Sequence, residues 1–322
     1  MLSKVLKLAT SPMYYHASII PETAVSESML TVLDKVANFL RDMRVDYLST
    51  CASPFLPRHF RAILNLWFEK RGATGQVVYY QAIKTRNTTF EEIWKRKFKK
   101  RNREEIRKAE REGVRVIKID SAEGMAQWKA GIHQCNVSAL IRQGRWGAYP
   151  ESYMNVYSAE LISTKNLLKE HFNVYGVIYE RSMIAYATIH EFKGLMALTN
   201  IASHTRFFAK HPNDILIAHL LKEACDRGFD WFEYGFDRVK RDGKIPSLYP
   251  GLQAFRRKFG FEEVPARFYR LGLSRRGRIL QNLYSGREYI VVQSAHIPES
   301  IRNSLLKLYH LRRREAFIFS HV

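Results

Sequence analysis

Cysteine is scarce in this chain. Its 322 residues include three, Cys51, Cys135 and Cys225, widely separated and with no CxxC pair. That spacing argues against a disulfide framework and against a cysteine-based zinc site. It fits a reducing compartment, and the expectation is a cytoplasmic protein. Long hydrophobic runs are also missing. No segment approaches the roughly 18 apolar residues of a membrane span. The first residues, MLSKVLKLATSP, carry Lys4 and Lys7 inside their apolar stretch and make a poor signal peptide. No integral membrane segment is expected, while peripheral membrane contact stays open. The histidines His133, His190 and His219 show no ligand spacing, so no metal is expected, and no Ser-His-Asp or Cys-His set can be picked out.

Acidic residues are under-represented: 31 Asp and Glu stand against 52 Lys and Arg, a formal net charge of +21. A chain so basic attracts polyanions, among them RNA, DNA, an anionic membrane face or a phosphorylated substrate. The charge is clustered. Between Lys95 and Arg111 there are ten basic and three acidic residues. From this stretch Arg96, Lys99, Lys100, Arg103 and Arg107 are candidate nucleic-acid contacts. The loop RQGRWGAYP adds Arg142, Arg145 and Trp146, because cations mixed with aromatics suit backbone contact with base stacking. A solvated basic face is the alternative for the helix.

Hydrophobic residues make up 46% of the chain, enough for real cores in two domains. The periodicity predicts strands at 14–20, 45–51 and 76–83, separated by helices at 28–41 and 57–70. Thr89 with Glu92 forms a capping-box pattern that opens one long helix to about Glu112, stopped by Gly113. A strand at 114–119 and helices from Ser121 to about Ile141 and from 151 to 170 follow. Three antiparallel strands come next, at 173–179, 184–191 and 195–202, turning at Glu180-Arg181 and Lys193-Gly194. A helix capped by Asn213 or Asp214, a strand at 229–234, a short helix at 252–259 and a strand at 266–271 complete the order. A last helix is expected at 298–314.

This order, with three local motifs, resembles the acetyltransferase-like (GNAT) fold and, within it, the Fem group of peptidyltransferases. "RNREEIRKAEREGV" (101–114) is similar to that group's Arg-rich linker helix. "FDWFEYGF" (229–236) is similar to its strand ending in an acidic residue, an aromatic and glycine. "GLQAFRRKFG" (251–260) is similar to its hallmark of Gly-Leu, Phe-Lys and Phe-Gly. Two positions depart from the pattern: Arg256 stands where the group has Lys, and Glu233 where it has Asp. The expected fold class is α/β, two GNAT-like units with the first abbreviated, joined by a long basic helix. The expected division is 1–88, a linker at 89–113, a catalytic unit at 114–271 and a basic helical extension at 272–322.

The resemblance implies transfer of an amino acid from aminoacyl-tRNA to an amine-bearing acceptor, or of an acyl group from acyl-CoA in related branches, with no permanently bound cofactor. It implies that Arg256 stabilises the oxyanion or the leaving oxygen. Glu233 and Asp237 flank the strand end where open α/β sheets hold ligands. Either binds the incoming ammonium or takes its proton, or else pairs with Arg238 or Lys240. Phe255, Tyr234 and Lys258 are the expected substrate contacts around them. CoA-dependent relatives hold pyrophosphate on a glycine-rich turn that leads into a helix N-terminus. Here that loop reads HTRFFAKHPND and lacks glycine, which argues against standard CoA binding. His204, Arg206 and Lys210 remain as side-chain phosphate contacts. A CoA-dependent N-acyltransferase and a non-catalytic polyanion-binding protein are the rival readings.

Overall fold

A computed structural model of the chain describes residues 8–10, 27–42, 45–142, 151–192, 194–238, 250–279 and 281–282. The chain forms two compact units. Unit 1 comprises Met1–Tyr80, Phe236–Leu248 and Val264–Val322, and unit 2 comprises Gln81–Gly235 and Tyr249–Glu263.

In unit 1, β1 (Leu8–Thr10) runs parallel to β2 (Tyr47–Ala52), which pairs antiparallel with the last strand, β9 (Glu262–Gly272), from Tyr47↔Gly272 onward. Helices α1 (Glu27–Asp42) and α2 (Arg58–Lys70) lay Leu33, Ala37, Phe60, Leu64, Trp67 and Phe68 on Leu48, Ala52, Tyr269 and Leu271. Phe68 stacks on Tyr269 at 4.7 Å. Strand β3 (Thr74–Lys84) carries the chain from unit 1 into unit 2.

Unit 2 contains α3 (Phe90–Arg96), α4 (Lys100–Arg111), β4 (Arg115–Ile119), α5 (Ala122–Gln127), α6 (Lys129–Arg142) and α7 (Glu151–Leu168). After these come β5 (Phe172–Tyr179), β6 (Ser182–Phe192), β7 (Leu195–Ser203), α8 (Pro212–Asp226), β8 (Trp231–Arg238) and α9 (Pro250–Arg257). The strands lie in the order β8-β7-β6-β5-β4. Only the β7–β8 ladder among these is parallel; the three ladders from β4 to β7 are antiparallel. The β5–β6 turn places Glu180 (φ 47°) and Arg181 (φ 62°) in the left-handed region, as a two-residue hairpin loop requires. Strand alternation divides the core between the two faces. Tyr175, Val177, Ala185, Ala187 and Ile189 pack with α8 and with Ile93, Phe98 and Ile106. Phe172, Val174, Met183 and Tyr186 pack with Met125, Ile132, Cys135 and Leu161 of α5–α7.

The capping box forms as the sequence predicts. Thr89 Oγ1 accepts the Glu92 N–H, and Glu92 Oε2 accepts the Thr89 N–H at 3.0 Å. The single long helix expected from 89 to 112 is instead two, because Ile93 and Phe98 are five residues apart and cannot share one helical stripe. The chain turns at 97–99 and drops Phe98 into the core, where it meets Phe259 edge-on at 5.0 Å. Gly260 permits this turn to pack closely. Its φ is 77°, and a Cβ there would lie 2.7 Å from Lys97 Cβ.

Further differences come from non-local pairing. The compact units do not follow the linear division at 88, 113 and 271. The two helices at 90–111 pack into unit 2, and β9 pairs with β2, placing 264–271 in unit 1. The cap of α8 is His211, in the left-handed region at φ 50°, and not Asn213 or Asp214; Pro212 occupies the first helical position. The strand expected at 14–20 and the helix expected at 298–314 lie outside the described residues.

Candidate active site

The site begins with a defect in the sheet of unit 2. Along β6–β7 the register runs Thr188↔Asn200 and then Ile189↔Leu198, leaving Thr199 as an extra residue on β7. Such a bulge bends the strand that carries it. The parallel β7–β8 ladder stops at Ala197↔Glu233, although β7 continues to Ser203 and β8 to Arg238. Beyond that point the two strands no longer satisfy one another's backbone groups among the described residues. An opening at the C-terminal end of parallel strands is where α/β sheets hold ligands.

Arg256 borders this opening. It is 5% exposed, donates from Nη2 to the Tyr234 carbonyl at 2.9 Å, and lies 4.9 Å over the Tyr234 ring. Gly235, at φ 66°, leaves the nearest atom to a would-be Cβ as Arg256 Nη2, 3.9 Å away. Glu233 is buried in β8 at 2% exposure. Asp237 is on the same strand, and its side chain lies outside the described residues. Burial pushes the Tyr234 hydroxyl up to about 12, and the nearby charges of Arg256 and Arg142 oppose that shift, so it is a neutral hydroxyl near neutral pH. Phe255 and Phe261 pack on the Tyr234 ring at 6.1 and 5.5 Å.

Lys258, Asp214, His211 and Glu105 form a charged group at the start of α8. Lys258 Nζ is 3.3 Å from Asp214 and 3.7 Å from Glu105; His211 Nδ1 is 3.7 Å from each carboxylate. Ligating atoms of Glu105, His211 and Asp214 lie within 4.8 Å of one another, and the cation among them is Lys258. Burial raises the Asp214 carboxyl; Lys258 and His211 oppose this, and it stays above its ordinary value. Burial raises Glu105 as well, but the Arg101 hydrogen bond and the charges of Lys258, His211 and Arg101 outweigh it and hold it below its ordinary value. An acidic side chain in the first turn of a helix interacts favourably with the helix dipole. Here Asp214 occupies the place an external anion would take.

The remaining sequence candidates scatter. His204 caps the short 3₁₀ helix at Thr205–Lys210, its Nδ1 accepting the Arg206 N–H at 3.2 Å. Arg206 is exposed beside Phe207. Lys210 donates to Glu112 at 2.9 Å and sits 4.5 Å over Tyr179. Arg142 lies 4.6 Å over Phe208. Arg96, Lys99, Lys100 and Arg107 are exposed, with Arg107 5.8 Å from the Trp94 ring. Arg103 differs from these. Its Nη1 donates to the carbonyls of Trp94, Lys95 and Phe98 at 3.0, 3.0 and 2.8 Å, which ties it to the end of α3. Arg145 and Trp146 lie outside the described residues.

Two groups were not legible in the sequence. One is the Glu105–His211–Asp214 set. The other is a buried relay in which Tyr186 donates to Asn136 at 2.6 Å, Asn200 Nδ2 donates to Tyr186 and Tyr157 at 2.7 and 3.0 Å, and the two tyrosine hydroxyls are 3.0 Å apart. Each joins residues from distant parts of the chain and leaves no local pattern.

The sequence profile of the acetyltransferase (GNAT) domain matches residues 96–238. No curated protein matches the sequence. Among solved structures, FemX superposes with a TM-score of 0.51 at 13% identity, covering 76% of each chain. The C-terminal domain (DUF2156) of a protein assigned as lysylphosphatidylglycerol synthetase from Agrobacterium fabrum gives 0.50 at 13% identity, covering 76% of this chain and 74% of its own. L-PGS from Bacillus licheniformis gives 0.50 at 13% identity, covering 80% and 79%. No helix among the described residues is long and apolar enough to cross a membrane. Residues 96–238 thus carry a GNAT domain, the chain is an acyltransferase on that match, and its fold is like that of FemX.

Proposed function

We propose that the chain transfers an aminoacyl group from aminoacyl-tRNA to the amine of a small acceptor. One observation carries the choice of donor. The N-terminus of α8, preceded by a loop without glycine, is filled by the chain's own buried Asp214 with Lys258 as its partner. A diphosphate placed there would meet two carboxylates and no close backbone approach. The net charge of +21 supports a polyanionic donor.

In this reading a carboxylate of β8, Glu233 or Asp237, takes a proton from the acceptor ammonium. The free amine attacks the ester carbonyl and forms a C–N bond. Negative charge gathers on the carbonyl oxygen, and the fixed guanidinium of Arg256 beside the splay supports it electrostatically. The C–O bond to the ribose then breaks as the leaving oxygen takes the proton held on the β8 carboxyl, and the freed carboxylate accepts the excess proton of the newly bonded nitrogen. Arg256 keeps its charge through the cycle and acts as an electrostatic support, not as a proton carrier. The free thiols of Cys51, Cys135 and Cys225 suit the cytoplasm, where charged tRNA is available. Peripheral contact with an anionic membrane belongs to the same proposal, since one similar structure is named for an aminoacylated lipid.

The test is filter binding with charged tRNA at low salt, run beside calorimetry with acetyl-CoA. Binding of tRNA with no heat from acetyl-CoA is expected. Failure to bind charged tRNA refutes the donor assignment, and heat from acetyl-CoA replaces it with the coenzyme. A non-catalytic scaffold predicts that Arg256→Ala leaves every measurable function intact.

A further inference from the structure

Within unit 2 a groove of about 350 Å³ runs between α4 and α9, lined by Lys99, Arg101, Asn102, Glu105, Ala254 and Lys258. It is distinct from the opening at β8. Ala254 of α9 and Lys258, just past its end, both line the groove, whereas Arg256, two residues from each, directs Nη2 to the Tyr234 carbonyl.

Asn102 makes this groove unusual. The residue is 1% exposed, and neither Nδ2 nor Oδ1 has a hydrogen-bond partner among the described residues. Buried amides with both atoms unpaired are rare in folded proteins, and a ligand that completes the pair accounts for one. The charges around it define the ligand's sign. Lys99, Arg101 and Lys258 face a single lining carboxylate, Glu105. Lys99 is exposed, with no side-chain partner among the described residues. Arg101 gives Nε to Glu105 at 2.8 Å, yet its side chain stays 88% exposed. Lys258 is held by Asp214 and Glu105, so the uncommitted cations are those of Lys99 and the outer edge of Arg101.

We propose that this groove binds a ribose phosphate of RNA. Phosphate oxygens accept from Lys99, Arg101 and Asn102 Nδ2, while a 2′-hydroxyl donates to Asn102 Oδ1. Cations alone take any anion. The amide adds a donor and an acceptor side by side, which match a phosphate next to a sugar hydroxyl. RNA is favoured over a free nucleotide because further exposed cations lie on α3 at Arg96 and on α4 at Lys100 and Arg107. The inference rests on the proposed donor. CoA also carries a ribose phosphate, so the coenzyme is the alternative source of the same chemistry.

The experiment uses the full chain as wild type, Asn102→Leu and Lys99→Glu. It measures binding of an acceptor-stem RNA hairpin, of the DNA hairpin of the same sequence, and of CoA, with thermal unfolding alongside. Wild type should prefer RNA to DNA. Asn102→Leu should unfold at an equal or higher temperature, because an unpaired amide has been removed, and should lose that preference. Lys99→Glu should weaken both hairpins by about tenfold with unfolding unchanged. Displacement of RNA by CoA from wild type but not from Asn102→Leu supports the groove and assigns it to the coenzyme. If all three proteins bind RNA and DNA alike, the groove assignment is overturned. If wild type binds no RNA, the tRNA-donor reading fails, and the CoA arm alone decides the groove: binding unaffected by Asn102→Leu overturns it.

Discussion

Replacing Lys258 with Met isolates the electrostatics of the α8 N-terminus. The change keeps the length and apolar stem of the side chain and removes only the ammonium. At 3.3 Å, with an effective dielectric of about 20, the Lys258–Asp214 attraction is about 5 kcal/mol before desolvation. Breaking a fully buried pair from one side costs about 3–5 kcal/mol. Two features reduce that figure here. Lys258 keeps 35% of its side-chain surface in solvent, and His211 remains 3.7 Å from both carboxylates. A loss of about 2 kcal/mol at neutral pH is expected. The pH dependence gives the sharper test. Asp214 already titrates above its ordinary value, and Glu105 below its own. Losing the ammonium moves both upward, so the variant is penalised wherever the carboxylates are ionised. The deficit should be full at neutral pH, should shrink as the pH falls through the raised Asp214 value, and should vanish only once the pH has also fallen through the lowered Glu105 value. Urea unfolding followed by far-UV circular dichroism at several pH values reads the difference. A deficit that does not change with pH, or none at neutral pH, would refute this account of the site.

Arg103→Ala should cost about 1–2 kcal/mol, because three carbonyls at the end of α3 lose their donor. The same substitution should change RNA affinity less than Lys100→Ala does, since Arg103 is a structural tie; the reverse ranking would restore it as a nucleic-acid contact. Gly131→Ala and Gly176→Ala form a matched pair in thermal unfolding. The first drives a Cβ to 2.7 Å from Met183 Cβ and should lose about 1–3 kcal/mol, while the second's one tight contact is the terminal Met183 Cε, the far end of an unbranched side chain, and it should lose less. Cys135 is buried, and burial pushes its thiol up to about 12; Cys225 is pushed up to about 11. Thiol titration of the folded protein near pH 8 should therefore leave both slow to react until denaturant is added.

The sequence by itself determined the features that depend on neighbours within a few residues. Thr89 and Glu92 specified a helix start, and Glu180-Arg181 and Gly194 specified hairpin turns. The alternation of β5–β7 specified strands with both faces covered. The same local signals gave "GLQAFRRKFG" its resemblance to the Fem-group hallmark, and Arg256 lies beside the β8 opening. Only the tertiary structure decided which groups meet. Lys258 is 44 residues from Asp214, and Arg103 folds back on carbonyls up to nine residues away. Asn102 loses its solvent beneath a groove built partly by α9. The long helix broke because Phe98 gains more by burial against Phe259 than by continuing a solvent-facing turn, a contact no window around residue 98 contains. Local rules set the type of each element through backbone sterics and hydrogen bonding. Partner identity follows from burial and charge between residues distant along the chain, and that exists only once the units have closed.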